Sequence, residues 1–461
     1  MTTDPHTIEA TVTALHRHFA TGATKPRSWR REQLLALRAL LTENSAEIQQ
    51  ALARDLGKSA LEAHMTEIGI TVSAIDYALK NLKKWTAPRR LNVPLNLMPG
   101  RASLVREPLG TVLIIAPWNY PVQLLFAPLI GALAAGNTVV LKPSEVAGEV
   151  SDLLAQLVPQ YLDRQAIALV EGGVEETTEL LAQRFDHIFY TGNGQVGRII
   201  ARAAAENLTP ITLELGGKSP VVVDGTTDLG VAARRIAWAK FLNAGQTCVA
   251  PDYVLVLDGV ERQLLAELQT AITEFFGTDP QISPDYGRII NDRHHRRLMS
   301  YLSQGTVEYG GRTDLADRYI QPTLLSPASL ESPVMTEEIF GPILPLVPMK
   351  SMDQALNFIN GRDKPLALYG FVSEENQRRL VAETSSGGLV FGAALVHLSP
   401  HDWPFGGVGE SGMGAYHGQK SVENFSHDKV VFTKHLLPDT LRLLYPPYVG
   451  FKENLIKKLL A

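Results

Sequence analysis

Cysteine is nearly absent from this chain: Cys248 is the only one in 461 residues. A single thiol excludes any disulfide within the chain and any cysteine-based zinc or iron–sulfur centre, and it fits a reducing compartment. No excess of positive charge is present either. Lys and Arg number 43 against 48 Asp and Glu, a formal net charge of −5, so the basic footprint of a nucleic-acid binder is missing and that class is set aside. The first 20 residues are polar and lack the apolar centre of a secretory signal. The one long apolar stretch, 122–141, is interrupted by Pro128, Gly131, Gly136 and Asn137. Gly136-Asn137 reads there as the turn between a helix and a buried strand, not as the middle of a spanning helix. Residues 454–461 carry Lys457 and Lys458 and are too short to span, so no membrane anchor is expected.

What remains is ordinary globular composition, 45% hydrophobic and 20% charged, in a chain long enough for two or three domains. From 28 to 56, Leu34, Leu37, Leu41, Ile48 and Leu52 recur at helical spacing and predict one amphipathic helix or two. Another is expected over 62–85. Residues 88–104, rich in proline and asparagine, read as an extended arm. At Thr111 the texture changes to short apolar, β-branched runs alternating with helical periods. Strands are expected at 111–116, 138–141, 167–170, 187–190 and 211–215, with helices between them. Such alternation implies a parallel sheet with helices on both faces. After Gly216-Gly217, a plausible domain boundary, the pattern restarts at Val221 and ends in a glycine-rich run over 405–418.

Four stretches besides the lone cysteine can carry chemistry. Thr191-Gly192-Asn193-Gly194-Gln195-Val196-Gly197 satisfies the Gly-x-Gly-x-x-Gly spacing between a strand and a helix, where glycines admit a pyrophosphate to the free N–H groups of the helix start. It comes late in the α/β series rather than after the first strand, an unusual register for a dinucleotide site. Lys142-Pro143-Ser144-Glu145 follows a strand and opens a helix. Its lysine can donate and its glutamate accept toward ribose hydroxyls, and a charged helix cap explains the same residues equally well. Glu214 sits among leucines in a strand, where apolar surroundings raise a carboxyl toward usefulness as a base near neutrality; a glutamate on the polar side of an alternating strand is the plain alternative. Asn119, in Pro117-Trp118-Asn119-Tyr120-Pro121, ends a buried strand, and its amide can donate to an oxyanion. The alternative there is a turn between prolines.

Cys248 closes the run Asn243-Ala244-Gly245-Gln246-Thr247-Cys248. A lone cysteine is usually a small buried hydrophobe. These small and polar neighbours suit a tight, accessible loop better than a core segment, and a thiol is the strongest neutral-pH nucleophile because part of it is already thiolate.

Together the motifs resemble the aldehyde dehydrogenase family. They are Pro-Trp-Asn-Tyr-Pro at 117, Lys-Pro-Ser-Glu at 142, Tyr-Thr-Gly at 190, Leu-Glu-Leu-Gly-Gly-Lys at 213, Gly-Gln-Thr-Cys at 245, Glu-Glu-Ile-Phe-Gly-Pro at 337 and Pro-Phe-Gly-Gly at 404. The short N-terminus, the run at 411–418 and Tyr-Pro-Pro-Tyr at 445 resemble the class 3 branch, which acts on medium- and long-chain or aromatic aldehydes. The resemblance implies an α/β fold. A parallel-sheet NAD-binding domain (1–81 and 105–214) would join a catalytic domain (215–418), a bridging arm (82–104 with 419–435) and a C-terminal tail (436–461). It makes Cys248 the nucleophile, Glu214 the base, and Asn119 with the Cys248 N–H the oxyanion donors. Lys142, Ser144 and Glu145 would hold the adenosine side of the cofactor. Gly192, Asn193, Gly194 and Gly197 would lie beside its pyrophosphate, Glu338 at the nicotinamide ribose, and Trp118 and Phe340 at that end.

The implied reaction is NAD(P)-dependent oxidation of an aldehyde to a carboxylic acid through a cysteine thioester. A base at Glu214 favours release to water over transfer to a thiol carrier. Asn193 stands where this branch usually has Ser or Thr. Glu145 predicts NAD as a good substrate, since a carboxylate there repels a 2′-phosphate, with NADP also accepted. A cytoplasmic homodimer without metal follows by the same likeness. Two rival readings are a cofactor-independent thiol hydrolase and a non-catalytic binding protein on this fold. The hydrolase needs a histidine base, and His294-His295, in a charged stretch, reads as solvated surface.

Overall fold

Runs of β-branched and aliphatic residues without polar alternation need burial on both faces, and here they find it. Thr111–Ile115 and Thr138–Lys142 are buried at every position. In the computed structural model, which describes residues 5–257 and 259–459, they are neighbouring strands of a six-stranded sheet. Its order is Gly412–Met413, Ile211–Leu215, His187–Gly192, Thr111–Ile115, Thr138–Lys142 and Ile167–Leu169. All pairs are parallel except the two-residue strand Gly412–Met413, which runs antiparallel beside Glu214.

A second sheet has seven strands, ordered Gly305–Tyr309, Thr323–Pro327, Ile343–Pro348, Tyr253–Val256, Pro220–Val223, Ala367–Phe371 and Gly388–Phe391. Only its edge strand Gly305–Tyr309 is antiparallel. The proline-rich segment expected to be extended forms two strands, Arg89–Leu91 and Gly100–Pro108. They pair antiparallel with each other, and Gly100–Pro108 also pairs antiparallel with Ser426–Lys434 over nine residues. This small sheet joins segments more than 300 positions apart.

The leucine periodicity near the N-terminus resolves into two helices, Arg27–Glu43 and Ser45–Leu56, the second ended by Gly57 in the left-handed region at φ 65°. The next helical stretch runs from Ala60 to Thr86 and contains one π turn, His64–Ile68. The apolar run at 122–141 is a helix, Gln123–Ala135, buried all round, followed by Gly136 at φ 93° and the strand Thr138–Lys142. Among the described residues, no helix is long and apolar enough to cross a membrane.

Candidate active site

In an open parallel sheet, a crevice forms where consecutive strands leave a central strand in opposite directions. Here Thr111–Ile115 is that strand: Thr138–Lys142 follows on one side and His187–Gly192 lies on the other. The carboxyl ends of the two diverging neighbours therefore flank residues 116–121. The late glycine turn and the early Asn119 are thus brought together by strand order, which explains why the turn sits so far along the chain. Glu214 is the last residue but one of the next strand, Ile211–Leu215, in register with Thr191.

Cys248 arrives from the other sheet. The helix Leu229–Phe241 ends, and Asn243, Ala244 and Gly245 take successive left-handed conformations, with φ of 52°, 50° and 76°. A Cβ on Gly245 would lie 2.3 Å from the carbonyl oxygen of Gly341, so only glycine fits where this loop meets the Glu338–Phe340 loop. The loop is tight but not accessible, contrary to expectation. Residues 243–247 are all buried, and Cys248 alone is partly exposed. Side-chain amides make it rigid. Gln246 donates to the carbonyls of Asn243 (3.0 Å) and Arg288 (2.9 Å) and accepts from Ile290 N (3.0 Å). Asn119 Nδ2 donates to the Gln246 carbonyl at 3.0 Å, tying the strand end of one sheet to the thiol loop of the other.

The electrostatics correct one premise of the sequence reading. Burial, reinforced by Glu338 and then Glu214, pushes the Cys248 thiol up to about 12, so it rests as neutral SH, not as partial thiolate. The two carboxyls facing it are displaced as well. Glu214 is 2% exposed, and neither of its oxygens has a hydrogen-bond partner among the described residues. Burial lifts it well above the usual carboxylate range. Glu338 is raised to about 8, chiefly by burial and then by Asp252, and its Oε1 is also unpartnered. Three acidic groups so close together cannot all ionise, and each carboxyl, less acidic than usual, is the stronger base in the fraction that is ionised, which is the form that can receive a proton from sulfur.

The remaining candidates fall in two places. Lys142 is buried and paired with Glu145 at 2.9 Å. Ser144 Oγ accepts from Val146 N at 3.3 Å. These residues do not open a helix directly, because the helix begins at Gly148. The helix Gly194–Glu206 starts at the glycine turn, and Asn193 caps it, its Oδ1 accepting from Val196 N at 3.0 Å. Gly197 lies against Leu215, where a larger residue would push the helix off the sheet. Trp118 and Phe340 meet edge to face with ring centres 5.3 Å apart. Gly216 leaves room for Glu338: a Cβ there would lie 2.1 Å from Oε2.

Some residues escaped the sequence reading. His294 packs on Trp118 with ring centres 5.0 Å apart, and His295 is fully buried with Nε2 against the Tyr319 carbonyl at 2.9 Å. Neither is the solvated surface expected of a charged stretch, because the helix Asp292–Leu302 turns His295, Leu298 and Tyr301 inward. Lys58, Glu62 and Glu67 are buried beside Asn119 and Asn243. A signal for Glu67 was present: it interrupts the buried stripe Ala63, Thr71, Ile75, Ala78 and Leu82 with a charge.

Comparison with known proteins places this geometry. Residues 2–431 match the family model described as the aldehyde dehydrogenase family. The chain is 48% identical over 431 residues to "Aldehyde dehydrogenase, dimeric NADP-preferring" of Canis lupus familiaris, covering 93% of this chain and 95% of that one. It is also 48% identical over 451 residues to "Aldehyde dehydrogenase family 3 member B2" of Mus musculus, covering 97% and 94%. A solved structure, the substrate-bound state of Staphylococcus aureus AldH, superposes with a TM-score of 0.96 at 46% identity, covering 98% of this chain and 99% of that one.

Proposed function

The chain belongs to the aldehyde dehydrogenase family, and from its site we propose that it oxidises aldehydes to carboxylic acids, carrying the acyl group on Cys248. The observation that supports this most is the placing of a partly exposed thiol beside two carboxyls, Glu214, neither of whose oxygens has a hydrogen-bond partner among the described residues, and Glu338, whose Oε1 has none. An isolated core cysteine would have no such company. The residues also suit a nicotinamide dinucleotide. The unpartnered Glu338 oxygen is an acceptor for a ribose hydroxyl, Trp118 and Phe340 border the same end, and the glycine turn at 192–197 leads into the start of the helix Gly194–Glu206, whose positive end favours phosphate. Lys142, Ser144 and Glu145 would hold the adenosine side. The bound cofactor supplies the hydride acceptor.

The protein's own residues do the rest. Sulfur adds to the carbonyl carbon as its proton passes to an ionised facing carboxyl, which releases it to solvent before the thioester is hydrolysed. The oxyanion so formed accepts from the Asn119 amide and the Cys248 N–H. After oxidation the acyl group is a thioester. Glu214, raised by its dry surroundings, takes a proton from water, whose oxygen attacks that thioester and frees the acid and the thiol.

The finer parts of this reading rest on the likeness to family 3 relatives: medium- or long-chain aliphatic or aromatic aldehydes as substrates, a homodimer, a cytoplasmic location, and NAD as well as NADP. The division into a cofactor-binding part (1–81 and 105–214), a catalytic part (215–418), a bridging arm (82–104 with 419–435) and a tail belongs to it too. The test follows absorbance at 340 nm with NAD or NADP and a panel of aldehydes. Wild type should reduce the cofactor and Cys248→Ala should not; reduction surviving in that variant overturns the mechanism. Glu214→Gln should keep a first-turnover burst and lose steady-state rate, whereas an unchanged steady state removes Glu214 as the base.

A further inference from the structure

Behind the site lies a set of charges that the chemistry above does not use. Lys58 and Glu67 are fully buried and paired at 2.5 Å. Lys58 Nζ also donates to the Asn119 carbonyl at 3.1 Å and stands 4.0 Å over the Tyr120 ring. The second Glu67 oxygen accepts from the backbone N–H groups of Val122 and Gln123 at 3.1 and 2.9 Å. The pair therefore holds both ends of 119–123. From the facing side, Asn243 Nδ2 donates to the same Asn119 carbonyl at 2.9 Å, and the Tyr120 and Thr247 hydroxyls are 2.6 Å apart. Glu62 accepts from Asn243 N at 2.9 Å and so ties the thiol loop to the same helical segment.

The π turn His64–Ile68 carries Glu67, and such turns are common where a side chain must be re-aimed at a functional site. A buried ion pair gives the fold little that a packed apolar pair would not, because desolvation cancels much of the attraction. Its yield here is geometric. Asn119 spends one amide N–H on the Gln246 carbonyl and keeps the other for a ligand. With the Asn119 backbone held by Lys58 and Asn243, that N–H has a fixed direction.

We propose that Lys58 and Glu67 are positioning residues of the reaction, aiming the Asn119 amide at the oxyanion formed when Cys248 adds to a carbonyl. This rests on Asn119 being the oxyanion donor. p-Nitrophenyl acetate is a suitable probe beside the aldehyde assay, since acyl transfer to a thiol passes through an oxyanion without cofactor. Lys58→Met should lower the acylation rate by about 10- to 100-fold, the range of a weakened oxyanion donor, with aldehyde KM nearly unchanged. Alkylation of Cys248 by iodoacetamide, which forms no oxyanion, should be unaffected. In an Asn119→Ala background the same substitution should cost nothing further. Glu67→Gln should give a smaller loss of the same kind.

Lys58→Met/Glu67→Met removes both members of the ion pair together and leaves Glu62 held by the Asn243 N–H. It should recover the thermal midpoint without recovering the rate, and it carries the comparison if Lys58→Met does not fold. A wild-type acylation rate in either folded variant, or an equal loss in the Asn119→Ala background, overturns the proposal. A wild-type rate in Asn119→Ala alone would instead remove Asn119 as the donor.

Discussion

Alkylation of Cys248 across pH is the sharpest test of the site's electrostatics, because no other cysteine reports. Burial, Glu338 and Glu214 move the thiol from 9.0 to about 12. Each pH unit below the pKa removes a factor of ten in thiolate, so the shift leaves a roughly thousandfold smaller reactive fraction near neutrality. The more basic thiolate is also the better nucleophile, and with a Brønsted slope near 0.45 this restores roughly twentyfold. Iodoacetamide should therefore modify Cys248 about 50-fold more slowly at pH 7.5 than an exposed cysteine peptide.

The profile should also have a shape. Glu338 ionises around 8, and its charge opposes the thiolate once formed. The rate should climb less than tenfold per unit between pH 7 and 9, then more steeply. Glu338→Gln removes that charge; a like charge within contact range shifts a pKa by about 1–3 units, so at pH 9 the variant should react roughly 4- to 40-fold faster than wild type. A wild-type plateau by pH 8 would mean that the thiolate exists at rest, and a rate not increased by Glu338→Gln would mean that the carboxyl does not act on sulfur. Either result refutes the picture of a protected thiol.

Other substitutions probe separate points. Gly245→Ala places a methyl group against the Gly341 carbonyl at a φ of 76°, which should cost about 2–4 kcal/mol of stability and abolish activity; a thermal scan and the 340 nm assay check both. Lys240 is fully buried, its ammonium has no partner among the described residues, and burial lowers it from 10.5 to about 8. Between about 8 and 10.5 the unfolded chain holds the proton and the folded one has lost it, so stability from this group rises with pH through that window and is lowest below 8. Lys240→Met should accordingly raise the unfolding midpoint at pH 7, with the gain shrinking toward pH 10; a constant gain would contradict the shift. Glu145→Ala removes a carboxylate paired with Lys142 and should raise kcat/KM for NADP relative to NAD, measured with one aldehyde at fixed pH. An unchanged ratio would take Glu145 out of cofactor choice.

Much of the architecture was legible because it rests on local pattern. Continuous β-branched runs such as Thr111–Ile115 can only be buried strands, and Gly136 ending the helix Gln123–Ala135 marks a turn inside what hydropathy alone would call one segment. Other features were not local. His295 lies in an arginine-rich helix whose composition says surface, yet its position on the helix turns it into the core. Lys58 and Glu67 look like ordinary helical charges until the helix Gln123–Ala135 and the thiol loop close over them.

For the stretch ending in Cys248, the residues by themselves determined that one thiol exists, that glycine and small polar neighbours force a tight loop before it, and that its motifs are those of one family. Only the tertiary structure decided what surrounds the sulfur. Strand order put His187–Gly192 beside Thr111–Ile115 and so gathered the glycine turn, Asn119 and Glu214 into one crevice. Packing of the second sheet's loops narrowed that crevice around the sulfur and raised the thiol and both carboxyls together. Periodicity and glycine conformation act between residues near in sequence. Desolvation and charge–charge repulsion depend on distance in space, and that distance exists only once the two sheets have met.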